Sequence, residues 1–278
     1  MAAPRYRSIR ALLLPLLLTF MTGVPAPSEA AAPLLLVGGG ERPREGLFAW
    51  ARATSGPIVL ISWASSEPMA TLTALRADFE KAGISPSRLR DAPEFTDLPK
   101  DLERFVRETR ETVKGAAALF FSGGDQNRLM KAILSLPELR SWIESEFHSG
   151  RLGIAGTSAG TAIATVLRFT GEEDLSRLDP HKIDLTAGLD LLKGAIVDQH
   201  FVKRSRMNRL VSAILHHPDR VGIGIDEDSA LWIPKDSREG FVLGKGAGVL
   251  QIRATGPQGW HTELYGFGSA LPLQGFGP

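Results

Sequence analysis

A serine flanked by glycines, Gly156-Thr157-Ser158-Ala159-Gly160, stands behind the apolar run Leu152–Ala155 and opens the small-residue stretch Ser158–Val166. A G-x-S-x-G at a strand-to-helix corner has the form of a nucleophile elbow. A strained tight turn lifts the hydroxyl out of the sheet edge, and the glycines give the backbone room. The backbone N–H of Ala159, near a helix N-terminus, then points at a developing oxyanion. The same residues also read as a plain turn with Ser158 as a helix N-cap.

Three further segments end strands and should open on the same carboxyl-end rim. Phe121-Ser122-Gly123-Gly124-Asp125-Gln126 follows the run Ala117–Phe121; Gly124 offers a second oxyanion N–H and Gln126 a polar contact for substrate. Its glycines equally suit a strand-to-helix turn chosen for backbone shape. Asp198-Gln199-His200 ends another strand and is followed by Arg204, Arg206 and Arg209. Position at a strand end selects His200 as a general base over His148, His181, His216, His217 and His261. An arginine cluster is ordinarily a solvated face, but beside a base it suits planar, bidentate binding of carboxylates. Gly222-Ile223-Gly224-Ile225 delivers Asp226, Glu227 and Asp228 to the rim. One acid would orient His200 and stabilise its protonated form. Metal binding and turn solvation are the other readings.

The elements that must position these residues alternate. Strand-like runs Pro33–Val37, Ile58–Ser62, Ala117–Phe121, Leu152–Ala155, Ala195–Val197 and Val221–Ile225 are interleaved with helical patterns. These are Met69–Ala82 with Ser66 as its N-cap, Leu98–Val113, Pro137–Phe147, Ser158–Val166, and a helix striped by Met207, Leu210, Val211, Ile214 and Leu215. The expected fold is α/β: a mostly parallel sheet flanked by helices on both faces. After Ser229 the pattern turns to short strands and glycine turns, an antiparallel C-terminal extension.

Composition narrows the chemistry. The 278 residues contain no cysteine, which removes disulfides, thiolate metal sites and a cysteine nucleophile. Lys and Arg number 32 against 31 Asp and Glu, so no nucleic-acid partner is expected. The first thirty residues have the order of an export signal: Arg5, Arg7 and Arg10, the apolar run Ala11–Met21, a breaker-rich stretch, then Ser28-Glu29-Ala30. That run makes about 16 Å of helix, too short for a ~30 Å hydrocarbon core. Residues 1–30 are therefore expected to be a removable leader for a periplasmic or extracellular bacterial protein, with residues 31–278 a single domain not inserted in the membrane. An uncleaved N-terminal anchor is the alternative.

Together, Gly38-Gly39-Gly40-Glu41, FSGGDQ, GTSAG, the long string DQHFVKRSRMNRL and GIGIDE resemble the cyanophycinase family of serine peptidases, over Leu34 to Leu231. The order Ser158, His200, Glu227 matches that family's nucleophile, base and acid. The resemblance implies a fold like class I glutamine amidotransferases, with serine replacing cysteine at the elbow, and a relation to aspartyl dipeptidases. It implies Ser158, His200 and Glu227 as the triad, and Gln126, Asp198, Gln199, Arg204, Arg206 and Arg209 around the substrate. That substrate would be rich in Asp and Arg: cyanophycin, a poly-aspartate backbone with arginine on each side chain, cleaved to β-aspartyl-arginine dipeptides. Arginines of the site would hold its carboxylates, and Asp198 or another rim acid its guanidinium. No metal or cofactor is implied, and a homodimer is left open. The alternatives are an aspartyl dipeptidase, an esterase ordering its triad Ser, acid, His with His261 last, and a non-catalytic binding protein that kept the fold.

Overall fold

The computed structural model describes residues 32–95, 99–136, 138–171 and 178–278. The export signal of residues 1–30 lies outside them, as does Pro137, expected to begin a helix. In chain order the elements are β1 (Leu34–Val37), α1 (Arg44–Arg52), β2 (Ile58–Ile61), α2 (Pro68–Lys81), β3 (Leu89–Asp91), α3 (Pro99–Val113), β4 (Ala118–Phe121), α4 (Gln126–Leu134), α5 (Leu139–His148), β5 (Gly153–Thr157) and α6 (Ala159–Ala162). There follow β6 (Leu167–Phe169), β7 (Leu185–Ala187), β8 (Ala195–Gln199), α7 (Met207–His216), β9 (Val221–Ile225), β10 (Ser229–Ile233), β11 (Glu239–Gly244), β12 (Val249–Gly256), β13 (Gly259–Tyr265) and β14 (Ala270–Pro272).

An eight-stranded sheet runs in the order β14-β11-β10-β1-β5-β4-β2-β3. Its β1, β5, β4, β2 and β3 are mutually parallel, and β10, β11 and β14 add on antiparallel beyond β1. Its central strands β1, β2, β4 and β5 are buried along their whole length, and β1, β2 and β4 are apolar throughout, because both faces are covered there. Leu35, Val37, Leu60, Phe120 and Ala155 face α1 and α2, meeting Leu47, Trp50, Leu75 and Phe79. Leu34, Leu36, Ile61, Phe121 and Ile154 face the opposite way, meeting Phe105, Leu129, Ile133, Ile143 and Phe147 of α3, α4 and α5.

The parallel strands near the C-terminus do not extend this sheet. β8 and β9 pair parallel in a second sheet, β13-β12-β9-β8. Its Val197, Ile223, Ile225 and Val249 share the core on the α3–α5 side, and its other face carries α7. The antiparallel extension is thus divided: β10, β11 and β14 widen the first sheet, while β12 and β13 widen the second. The glycines of β9 follow from this. A β-carbon at Gly224 would stand 2.5 Å from the Phe201 ring, and one at Gly222 2.9 Å from Ile214, so both leave room for groups on the α7 side.

Two other expectations are corrected. The helix after Ser158 is only α6, four residues long, rather than Ser158–Val166. The carbonyls of Ile163 and Ala164 are taken by the backbone N–H groups of Leu189, Leu191 and Leu192, so they are not available to a longer helix. The N-cap of α2 is Glu67 without a side-chain bond, with Pro68 in the first turn, and Ser66 does not cap it. Among the described residues no helix is long and apolar enough to cross a membrane.

Candidate active site

The site forms where carboxyl ends of both sheets meet. Ser158 follows β5 at φ 51° and ψ −109°, a strained conformation for a residue with a side chain. Gly156 and Gly160 make that corner sterically feasible: a β-carbon at Gly156 would stand 2.3 Å from the Gly160 carbonyl carbon, so strand and helix touch there. The hydroxyl of buried Thr161 lies 2.6 Å from the Val37 carbonyl and 2.9 Å from that of Gly156, tying the elbow to β1.

From the second sheet, His200 follows β8 and Glu227 follows β9. Ser158 Oγ lies 2.7 Å from His200 Nε2, and His200 Nδ1 lies 2.7 Å from Glu227 Oε1. Because a carboxylate only accepts, Nδ1 carries the hydrogen and Nε2 is left to accept from the serine hydroxyl. His200 is 7% exposed. Burial depresses the imidazole below its ordinary value; the hydrogen bond it donates to Glu227 opposes this, and the Arg204 and Arg206 charges reinforce it. The ring is therefore neutral near pH 7, the form a general base requires.

The three consecutive acids do different things. Asp226 Oδ1 accepts the backbone N–H groups of Val202 and Lys203, each at 2.9 Å, and so holds the turn behind His200. Glu227 orients the imidazole. Asp228 Oδ1 accepts the Glu41 N–H at 2.6 Å and fixes the glycine-rich loop after β1. In the sequence that loop stands out only by its resemblance. It lies against the base: His200 N–H donates to the Gly38 carbonyl at 2.8 Å, and Gly39 packs directly on the imidazole.

Around Ser158 lies a cleft of about 230 Å³, lined by Gly39, Gly40, Arg42, Thr71, Ser122 and Gly123 among others. A β-carbon on Gly123 would stand 3.3 Å from Ser158 Cβ, whereas one on Gly124 would meet the Ala64 carbonyl at 2.1 Å. Gly123 is thus the member of the pair that faces the serine. Among the described residues, the N–H groups of Gly123, Gly124 and Ala159 donate to no protein acceptor. A larger cavity, about 470 Å³, lies near the amino end of β4, lined by Arg110, Leu136 and Trp142, away from this chemistry.

The residues expected to surround substrate divide. Arg204 is exposed. Gln126 is 9% exposed and donates from Nε2 to the Thr170 carbonyl at 2.9 Å, bracing the loop after β6. Asp198 and Arg209, expected to read a guanidinium and a carboxylate, are turned to each other instead. Both are nearly fully buried, with Arg209 Nε 2.7 Å from Asp198 Oδ2 and Nη2 2.5 Å from Oδ1. The Arg209 guanidinium also stacks on Phe169, 4.5 Å from the ring centre. Arg206, 7% exposed, donates from Nη1 to the Gln199 carbonyl at 2.6 Å, to the Gln199 side-chain oxygen and to Asp198. Its guanidinium is pulled below the usual arginine range by burial, against the opposing pull of Asp198. This cluster underpins the turn that carries His200. His261 sits on edge strand β13, its side chain 62% exposed and facing Glu263, so the geometry does not assemble a site around it.

A hydroxyl, imidazole and carboxylate in line, behind an α/β elbow, define the hydrolase class. The family profile of peptidase family S51 matches residues 34–239, and the chain belongs to that family of serine-type peptidases. Over 229 residues it is 33% identical to the cyanophycinase of Trichormus variabilis, and 32% identical to that of Nostoc sp., covering 80% of this chain and 74% of each relative. Among solved structures, a peptidase from an acI-B1 Actinobacterium superposes with a TM-score of 0.60 at 23% identity, covering 88% of this chain and 98% of that one. A putative peptidase E from Listeria monocytogenes gives 0.51 at 15% identity, covering 78% and 100%. These last two likenesses establish the fold.

Proposed function

We propose that this chain is an exported serine peptidase that hydrolyses cyanophycin, or related β-aspartyl peptides, to β-aspartyl-arginine dipeptides. The observation that carries the reading is the continuous hydrogen-bonded line from Ser158 Oγ through His200 to Glu227 Oε1. Ser158 Oγ attacks the peptide carbonyl while His200 Nε2 takes its proton. The Ala159 N–H and the amide groups of the Gly123–Gly124 turn receive the oxyanion. His200 then passes the proton to the departing amine, and Glu227 stabilises the imidazolium in between. Water, deprotonated by His200, releases the acyl group from Ser158.

The substrate class is supported by the cyanophycinase relatives, and export by the order of charge, apolar run and small residues in positions 1–30. The decisive experiment incubates the protein, wild type and Ser158→Ala, with cyanophycin and with β-aspartyl peptides, and identifies products by mass spectrometry. Dipeptide release by the wild type alone is expected. A Ser158→Ala variant keeping a tenth of wild-type kcat would overturn the mechanism. Mass spectrometry of protein recovered outside the cytoplasm should find a chain beginning near Ala31; an intact Met1 in exported protein contradicts leader removal.

A further inference from the structure

Among the described residues lining the Ser158 cleft, Arg42 is the one charged side chain. It is held from two directions. On the backbone side, Asp228 grips the preceding residue, taking the Glu41 N–H at 2.6 Å and packing against Gly40. On the side-chain side, Asp78 of α2 accepts from Arg42 Nε at 2.6 Å and also from Nη2. The side chain is 20% exposed, and its Nη1 donates to no protein acceptor among the described residues. Lys81 Nζ lies 3.9 Å from the other Asp78 oxygen, so that carboxylate has cations on both sides.

We propose that Arg42 is a specificity residue: its free Nη1 edge, oriented by Asp78, binds a carboxylate of the peptide substrate beside the scissile bond. The inference rests on the peptidase reading and assigns a cation to the cleft that Arg206 and Arg209 do not supply, since both are spent on Asp198 and Gln199. A planar guanidinium fixed at two of its nitrogens has lost most of its rotational freedom before substrate arrives, so little more is lost when it binds. An acidic peptide gains a charge-assisted hydrogen bond there, and a peptide without the carboxylate does not.

The test compares two substrates: the dimer of β-aspartyl-arginine with free carboxylates, and the same dimer with its carboxylates converted to carboxamides. Wild type is expected to favour the free-acid peptide at least tenfold in kcat/KM. Arg42→Ala should erase that preference, chiefly through KM, while a fluorophosphonate still labels Ser158 at the wild-type rate. Arg42→Lys, which keeps the charge but not the fork, should keep part of it. Wild type without a preference, Arg42→Ala retaining one, or Arg42→Ala weakening both peptides and labelling alike overturns the assignment. The last outcome marks Arg42 as a strut between α2 and the glycine-rich loop. A wild type that cleaves neither peptide removes the peptidase reading itself, which cleavage without discrimination leaves standing.

Discussion

Gly39 lies flat against the His200 imidazole: a β-carbon there would stand 2.1 Å from His200 Cε1 and 2.5 Å from Nδ1. The loop after β1 therefore forms one wall of the slot that keeps the ring between Ser158 and Glu227. Gly39 also adopts φ +122°, a conformation that side chains rarely permit.

Gly39→Ala should accordingly displace the imidazole rather than unfold the protein. An expected loss of at least a hundredfold in kcat/KM should be matched by slow fluorophosphonate labelling of Ser158, with the circular dichroism spectrum unchanged. Gly83→Ala is the control. It also sits at positive φ, +83°, but its added β-carbon meets nothing within 4 Å, so it should cost stability and not activity. Equal activity losses in the two variants would show that backbone strain, and not the wall against His200, is what matters.

The hydrogen-bonded Ser158, His200 and Glu227 were legible because each follows a strand with a distinctive neighbour: the elbow glycines, the DQHF string, the GIGIDE run. The five parallel strands of the first sheet were almost as clear, except β3, whose Leu-Arg-Asp carries too little apolar pattern. Assignment of β8 and β9 to a separate sheet was not legible. Their apolar runs are consistent with burial between any two layers, and only the pairing of β12 on β9 shows which. Nor could local spacing show that Asp198 and Arg209 are partners. A carboxylate and a guanidinium on one rim look alike whether they bind substrate or each other, and burial decides it. Arg42 escaped notice because Asp78, which orients it, comes from a different helix 36 positions along the chain.

The pH dependence follows from the base. Burial is the largest influence on His200 and lowers its pKa, so the midpoint of its protonation on acidification should fall below the ordinary value of about 6.5. The acid limb of kcat/KM, which reports the free enzyme, is expected below pH 6.5. Arg204 lowers the His200 pKa through its charge, so Arg204→Gln should move that limb upward. Glu227 raises it by hydrogen bond and charge, so Glu227→Gln should move the limb further down while also reducing kcat. A limb unchanged in Arg204→Gln, or one lying above 7 in wild type, would contradict the assignment of His200 as the titrating base.

Asp198 and Arg209 make the opposite kind of prediction, one of stability. An ion pair this deeply buried has lost its hydration, and its net contribution relative to apolar residues is small. Removing one partner is different, because the other charge stays buried without compensation. Asp198→Asn keeps the shape but leaves Arg209, 2% exposed, and Arg206, 7% exposed, facing a neutral amide. A loss of about 3–5 kcal/mol is expected, read from the denaturant midpoint at an unchanged slope. Because the pair underlies the turn between β8 and α7, catalysis should fall for an acidic peptide and for a small neutral ester by similar factors. Were these residues substrate ligands instead, the acidic peptide alone would suffer and the midpoint would hardly move. Parallel kinetics on the two substrates at a temperature well below unfolding, together with the denaturation curve, separates the two. A stable Asp198→Asn variant with a selective loss on the acidic peptide would return Asp198 to the substrate.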